Sequence, residues 1–214
     1  MSFSFRAPTR ARRAVVAAVG AVAVMCWASG PADARIAGDH HSPTVAGAAA
    51  TALASRDAFV TSGTPGDFTA FIAARDVAAD TVAAEMALDP NAVRDAWTTA
   101  DLPHQTAVLA ALAELGKPYI SWASDPAVGF DCSGLTMYAW ARAGVSIVHQ
   151  SSAQIRAAAA RDHDSAMAGD LVQYPGHVMM YLGVGDAIVH AVNHNDDVEL
   201  DFLRRNVRFG DPVG

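Results

Sequence analysis

From Gly169 onward the apolar residues of this chain alternate towards every second position, whereas upstream they recur at helical spacing. That change of period most narrows the folds open to it. The alternation predicts strands over 171–174, 177–182, 187–190 and 198–202. Pro175-Gly176 and Gly183-Val184-Gly185 supply tight turns between them. Upstream, the spacing predicts helices over 48–60 and 68–87, a short one opened by Asp89-Pro90, and one from Asp101-Leu102-Pro103 to Gly116. Residues 118–122 read as a short extended piece, and Ser151 or Ser152 caps a further helix running through Ala160. Helices first and a small antiparallel sheet after them predict an α+β fold.

The start of the chain reads differently. Arg6, Arg10, Arg12 and Arg13 precede an apolar run over 14–28, and Ala32-Asp33-Ala34 offers a small-residue cleavage site. That order predicts a secretory signal peptide over 1–34, with Arg12-Arg13 pointing weakly to twin-arginine export. Cys26 follows the bulky Met25, which does not suit a lipid-attachment site. Cleavage removes four arginines and one aspartate and takes the formal charge from −7 to −10. Such an acidic chain does not suit nucleic acid or an anionic membrane surface. Residues 35–104 follow as an alanine-rich helical region, either an inhibitory cap, a docking surface or a packing support. His40-His41 within it has no acidic or cysteine partner at ligand spacing and reads as solvated linker.

Cleavage would also remove Cys26, leaving Cys132 as the one cysteine of the mature chain. An idle thiol is an oxidation liability outside the cell, so catalysis is the better reason for keeping it. Asp131 suits the N-cap of a helix marked by Leu135, Tyr138, Ala139, Arg142 and Ala143 and stopped by Gly144. Cys132 then lies in the first turn, where backbone N–H groups and the helix dipole favour a thiolate. A hairpin turning near Val184 brings His177 opposite or diagonal to His190. A nucleophile, a base and a group orienting the base form the logic of covalent acyl transfer. For the third position Asn193 and His194 stand as alternatives to His190. A metal set of His190, His194 and Asp196 spans a strand end and a polar loop, so that segment reads as solvated loop instead.

Ordered blocks follow one another along the chain: Leu115-Gly116-Lys117-Pro118-Tyr119, Gly129-Phe130-Asp131-Cys132-Ser133-Gly134-Leu135, Ala143-Gly144-Val145-Ser146-Ile147, Ser151 or Ser152 with Gln154, Ala168-Gly169-Asp170-Leu171-Val172, Gly176-His177-Val178-Met179-Met180-Tyr181-Leu182-Gly183, and Val189-His190-Ala191. Across about residues 106–214 they resemble the NlpC/P60 family of bacterial cell-wall cysteine peptidases. The resemblance implies a papain-like core, with a cysteine-bearing helix packed on a small antiparallel sheet, over 105–214. It implies Cys132 as nucleophile, His177 as base and His190 as third member, with Tyr119, Asp131 and Ser133 lining the substrate side. It implies a secreted, extracytoplasmic endopeptidase acting on peptidoglycan stem peptides, at the bond between D-glutamate and diaminopimelate. No cofactor or metal is implied, and other cell-wall hydrolases or regulatory proteins are the implied partner classes. Two departures stand out: Ser121-Trp122-Ala123-Ser124 replaces a Trp-Gly-Gly stretch, and Ile147-Val148-His149-Gln150 replaces a Leu-Pro-Arg stretch. A non-catalytic wall-binding protein and an amidase or acyltransferase of the same broad fold are the rival readings.

Overall fold

The computed structural model describes residues 1–2, 42–193, 196–203 and 206–214. The signal peptide, Cys26, the His40-His41 pair and His194 lie outside the described residues. Four helices open the described chain: α1 (Pro43–Ser62), α2 (Pro65–Glu85), α3 (Pro90–Thr99) and α4 (Leu102–Leu112). All four begin with the same device. Ser42, Thr64, Asp89 and Asp101 each accept a backbone N–H from the first turn, and each is followed by a proline at the first or second helical position. Gly63 ends α1 in the left-handed conformation at φ 64.

Helices α1 and α2 carry a buried stripe of mostly small residues: Val45, Ala49 and Ala52 on one, Phe71, Ala78, Ala79, Val82 and Ala83 on the other. Small side chains bring helix backbones close, so alanine gives close approach where it gives little area. The same core continues without a break through α4, the cysteine helix α5 (Cys132–Arg142) and the sheet. The 104/105 junction falls inside α4. Trp97 of α3 is buried and donates its indole N–H to the Leu182 carbonyl at 2.9 Å.

A two-stranded ribbon, β1 (Ser124–Asp125) and β2 (Gly129–Phe130), leads into α5. After α6 (Ser151–Ala157) come β3 (Ala159–Arg161), a short 3-10 turn, and then β4 (Leu171–Tyr174), β5 (His177–Tyr181), β6 (Ala187–Ala191), β7 (Val198–Phe202) and β8 (Arg208–Asp211). The last six form one antiparallel sheet in the order β3-β8-β4-β5-β6-β7. The α+β fold expected from the sequence is the one observed: a cysteine-bearing helix packed on an antiparallel sheet, with helices preceding it.

Two local expectations need correction. Gln150, not Ser151 or Ser152, caps α6, with its side chain accepting from Ala153 N at 2.6 Å. That helix stops at Ala157, because Ala159–Arg161 instead pairs with β8. Strand β8 itself carries no clear alternation, and its place in the sheet is set by partners on both sides. Among the described residues, no helix is long and apolar enough to cross a membrane.

Candidate active site

Asp131 caps α5 as expected, in an extended conformation, with Oδ1 accepting the Gly134 N–H at 2.7 Å. The Ser133 hydroxyl donates to the same oxygen at 3.1 Å, and Oδ2 accepts the Trp122 N–H at 2.8 Å. The His149 Nε2 lies 2.9 Å from Oδ1. Burial raises the Asp131 pKa, but the His149 contact and the two backbone donors outweigh it and hold the carboxyl below the usual aspartate value. Gly134 is required by close approach: a Cβ there would sit 2.0 Å from the Ala123 carbonyl oxygen. The ribbon before the helix is thus pressed against its first turn.

Cys132 stands next, buried and unpaired. Its position in the first turn is as expected, but its ionisation is not. Burial pushes the thiol up from its ordinary 9.0, and the neighbouring Asp131 charge adds to the rise; the backbone N–H groups of Val178, Ser133 and Cys132 oppose this without overcoming it. The expected resting thiolate therefore gives way to a neutral thiol. Desolvation wins over the helix N-terminus because the sulfur is turned into the protein.

The Val178 N–H that reaches the sulfur belongs to the residue after His177. This puts the head of β5 against the start of α5. His177 and His190 are both buried, and His177 Nε2 lies 2.8 Å from His190 Nδ1. The β5–β6 ladder pairs Met180 with Val189 and Tyr181 with Ile188. Continuing that register, His177 and His190 are diagonal neighbours on one face of the sheet. Tyr119 is half-buried; burial raises its phenol first, and the charges of Cys132 and Asp131 raise it further. The structure thus gathers Tyr119, Asp131, Cys132 and Ser133 at the start of α5, and joins His177 to His190 beside them.

Other residues in this region were given no role in the sequence reading. Gln154 is buried and donates to the Ser133 and Val148 carbonyls at 2.9 and 2.8 Å, while accepting from Thr136 Oγ1 at 2.8 Å. It ties the 148–149 segment to the first turn of α5. Behind His190 stand Glu199 and Asp201, each with a carboxylate oxygen 4.0 Å from Nε2. The β6–β7 ladder pairs His190 with Glu199 directly. A finished register would have shown this, but the sequence offered only alternation.

A second polar cluster lies in the core, away from the thiol. His104 is fully buried, with Nδ1 2.7 Å from Asp101 and Nε2 3.3 Å from both Asp170 and Asp211. Burial opposes its protonation, but the hydrogen bonds to Asp170 and Asp101 and the charges of Asp101 and Asp211 raise its pKa on balance. Among the described residues, two sets hold three ligand-type atoms within 4.8 Å of one another: His104, Asp170 and Asp211, and His190, Glu199 and Asp201.

Residues 116–207 match the NlpC/P60 family. The bifunctional muramidase/DL-endopeptidase CwlT of Bacillus subtilis is 36% identical over 90 residues, 38% of this chain and 27% of that protein. A probable endopeptidase of Corynebacterium glutamicum is 36% identical over 105 residues, 46% of this chain and 49% of the other. A gamma-D-glutamyl-L-lysine dipeptidyl-peptidase of Bacillus cereus is 35% identical over 94 residues, 40% and 28% of the two chains. The matched segment spans between about a quarter and a half of these relatives' lengths. The P60 domain of an antigen from M. avium subspecies paratuberculosis superposes with a TM-score of 0.46 at 29% identity, over 52% of this chain and 96% of that one. The capped thiol and both histidines all fall inside the stretch, residues 116–207, that matches the NlpC/P60 family.

Proposed function

We propose that this protein is a secreted cysteine endopeptidase that hydrolyses peptidoglycan stem peptides, at the bond between D-glutamate and diaminopimelate. The observation that carries the reading is the His177–His190 contact at 2.8 Å beside the buried Cys132 thiol. The relatives named as endopeptidases and as a gamma-D-glutamyl-L-lysine dipeptidyl-peptidase support the substrate class.

The chemistry follows from the proton positions. His177 uses Nε2 towards His190, which leaves Nδ1 for the thiol. For Nδ1 to accept a proton, the hydrogen of neutral His177 must sit on Nε2 and be donated to His190 Nδ1. His190 then carries its own hydrogen on Nε2, the nitrogen that faces Glu199 and Asp201. His177 takes the Cys132 proton as the sulfur attacks the carbonyl carbon, and the Cys132 backbone N–H at the start of α5 steadies the oxyanion. The C–N bond breaks, His177 protonates the leaving amine, and water then hydrolyses the thioester. Tyr119, Asp131 and Ser133 line the substrate side.

In this reading residues 105–214 carry the chemistry and residues 42–104 support it. Trp97 meets the chain at Leu182, just past the end of β5 and five residues, or about 16 Å of extended chain, from His177. That is the end remote from the thiol, which favours a buttress over a cap.

Defined muropeptides test the proposal. The purified protein should release products whose masses place the cut after D-glutamate, and Cys132→Ala should reduce release by about a thousandfold or more. Equal release by both proteins, or products cut elsewhere, would overturn it.

A further inference from the structure

Trp122 is held in the left-handed conformation at φ 65, a region that bulky side chains avoid. Its side chain is 80% exposed, so burial does not explain the strain. The backbone explains how it is kept: the Trp122 N–H donates to Asp131 Oδ2 at 2.8 Å, and the Asp131 N–H donates to the Ala123 carbonyl at 3.0 Å. The ring is aimed rather than loose. Its centroid lies 6.2 Å from that of His149, whose imidazole is bonded to Asp131. Ile120, two residues before it, and Val148, next to His149, are exposed apolar side chains as well. A strained, solvent-facing indole is thereby fixed within one hydrogen bond of the carboxylate that precedes Cys132.

We infer that Trp122 is a platform on which a neutral pyranose ring of the glycan strand stacks while the attached stem peptide occupies the cleft. The inference rests on the peptidoglycan reading above. Charge decides between the parts of such a substrate. Asp131 and His149 are paired with each other, and the exposed Ile120 and Val148 close by in the sequence are apolar, so this rim suits an uncharged ligand. The stem peptide carries carboxylates and an amine, whereas an N-acetylated sugar is neutral and presents a face of C–H groups to an aromatic ring. Stacking there makes Trp122 a positioning residue, recognising the sugar-bearing substrate without touching the reacting atoms. The exposed indole, unfavourable for folding, is explained by that contact.

Two matched ligands test this: a stem peptide alone, and the same peptide attached to its disaccharide. Binding of both to the full chain carrying Cys132→Ala is measured by calorimetry, and cleavage of both by the protein with its thiol intact. The sugar-bearing ligand should bind about tenfold more tightly, and its kcat/KM advantage should lie in KM. Trp122→Gly should abolish the preference, Trp122→Tyr should keep most of it, and Trp122→Gly should melt no lower than the parent because glycine relieves the strained φ. No preference in the parent, or an unchanged preference in Trp122→Gly, would overturn the inference. A binding preference without cleavage of either ligand would sink the hydrolase reading and uphold the platform. Cleavage of both without preference would do the reverse.

Discussion

His190 faces Glu199 across the β6–β7 ladder, with its Nε2 4.0 Å from the Glu199 carboxylate and at the same distance from Asp201. Two carboxylates behind the second histidine favour a positive charge on the histidine pair. Replacing both with Glu199→Gln and Asp201→Asn should lower kcat about tenfold, equivalent to about 1.4 kcal/mol of barrier. An unchanged kcat would mean that neither carboxylate acts through His190.

Cys132 should behave as a reluctant thiol once its partner is gone. In His177→Ala, the pH dependence of alkylation should have its midpoint above 9.0, in the direction set by burial and Asp131. The protein with His177 intact should be alkylated far faster near neutral pH. Equal rates would mean that the helix N-terminus, and not the imidazole, activates the sulfur.

The Asp131 carboxyl titrates below its ordinary 3.8 when folded. Its contribution to stability is present above the unfolded value and is lost as pH falls through the depressed one. Asp131→Asn should therefore unfold with a flatter acid limb below pH ~4. Asp131→Ala should lose a further 1–2 kcal/mol, roughly, with the helix cap. Thermal melts across the acid range measure both.

His104 has the opposite sign. Its pKa is raised above 6.5 in the folded protein. The associated stability is complete below the unfolded value and declines as pH rises through the folded one. Urea unfolding should show that decline in the parent. His104→Ala should be less stable by about 3–5 kcal/mol, since it strands buried carboxylates. Activity per folded molecule should change little, because His104 is remote from the thiol.

Gly134→Ala should fail at the first turn of α5. The added methyl would meet the Ala123 carbonyl oxygen, so either the ribbon or the helix start must shift. Loss of soluble folded protein, or a large fall in melting temperature, is the expected outcome.

Much of this was legible because it is local. The Asp131 cap, the strands 171–174 and 198–202, and the proline-marked starts of α3 and α4 each announce themselves within a few residues. The turn position left His177 opposite or diagonal to His190, and the observed register makes them diagonal. What escaped was set at long range. Ala159 and Ala160 favour helix by themselves, yet pair with Asp211 and Gly210 in the sheet. The ionisation of Cys132 depends on how much protein covers the sulfur, which no spacing shows. His149 and Trp122 were visible only as departures from a pattern; their shared link to Asp131 needed coordinates.

The knot around His104 bears on the order in which the chain can fold. It joins Asp101 at the start of α4 to Asp170 before β4 and to Asp211 in β8, which Arg161 of β3 also binds. The outermost members are about 110 residues apart. Helices α1 to α4 can form while the rest is unstructured, but closing that loop must await β8, and non-local closure of this kind is slow. Until then His104 lacks its Asp211 partner. The final locking of helices to sheet should therefore be a late, pH-sensitive kinetic phase, faster where the imidazole is already protonated.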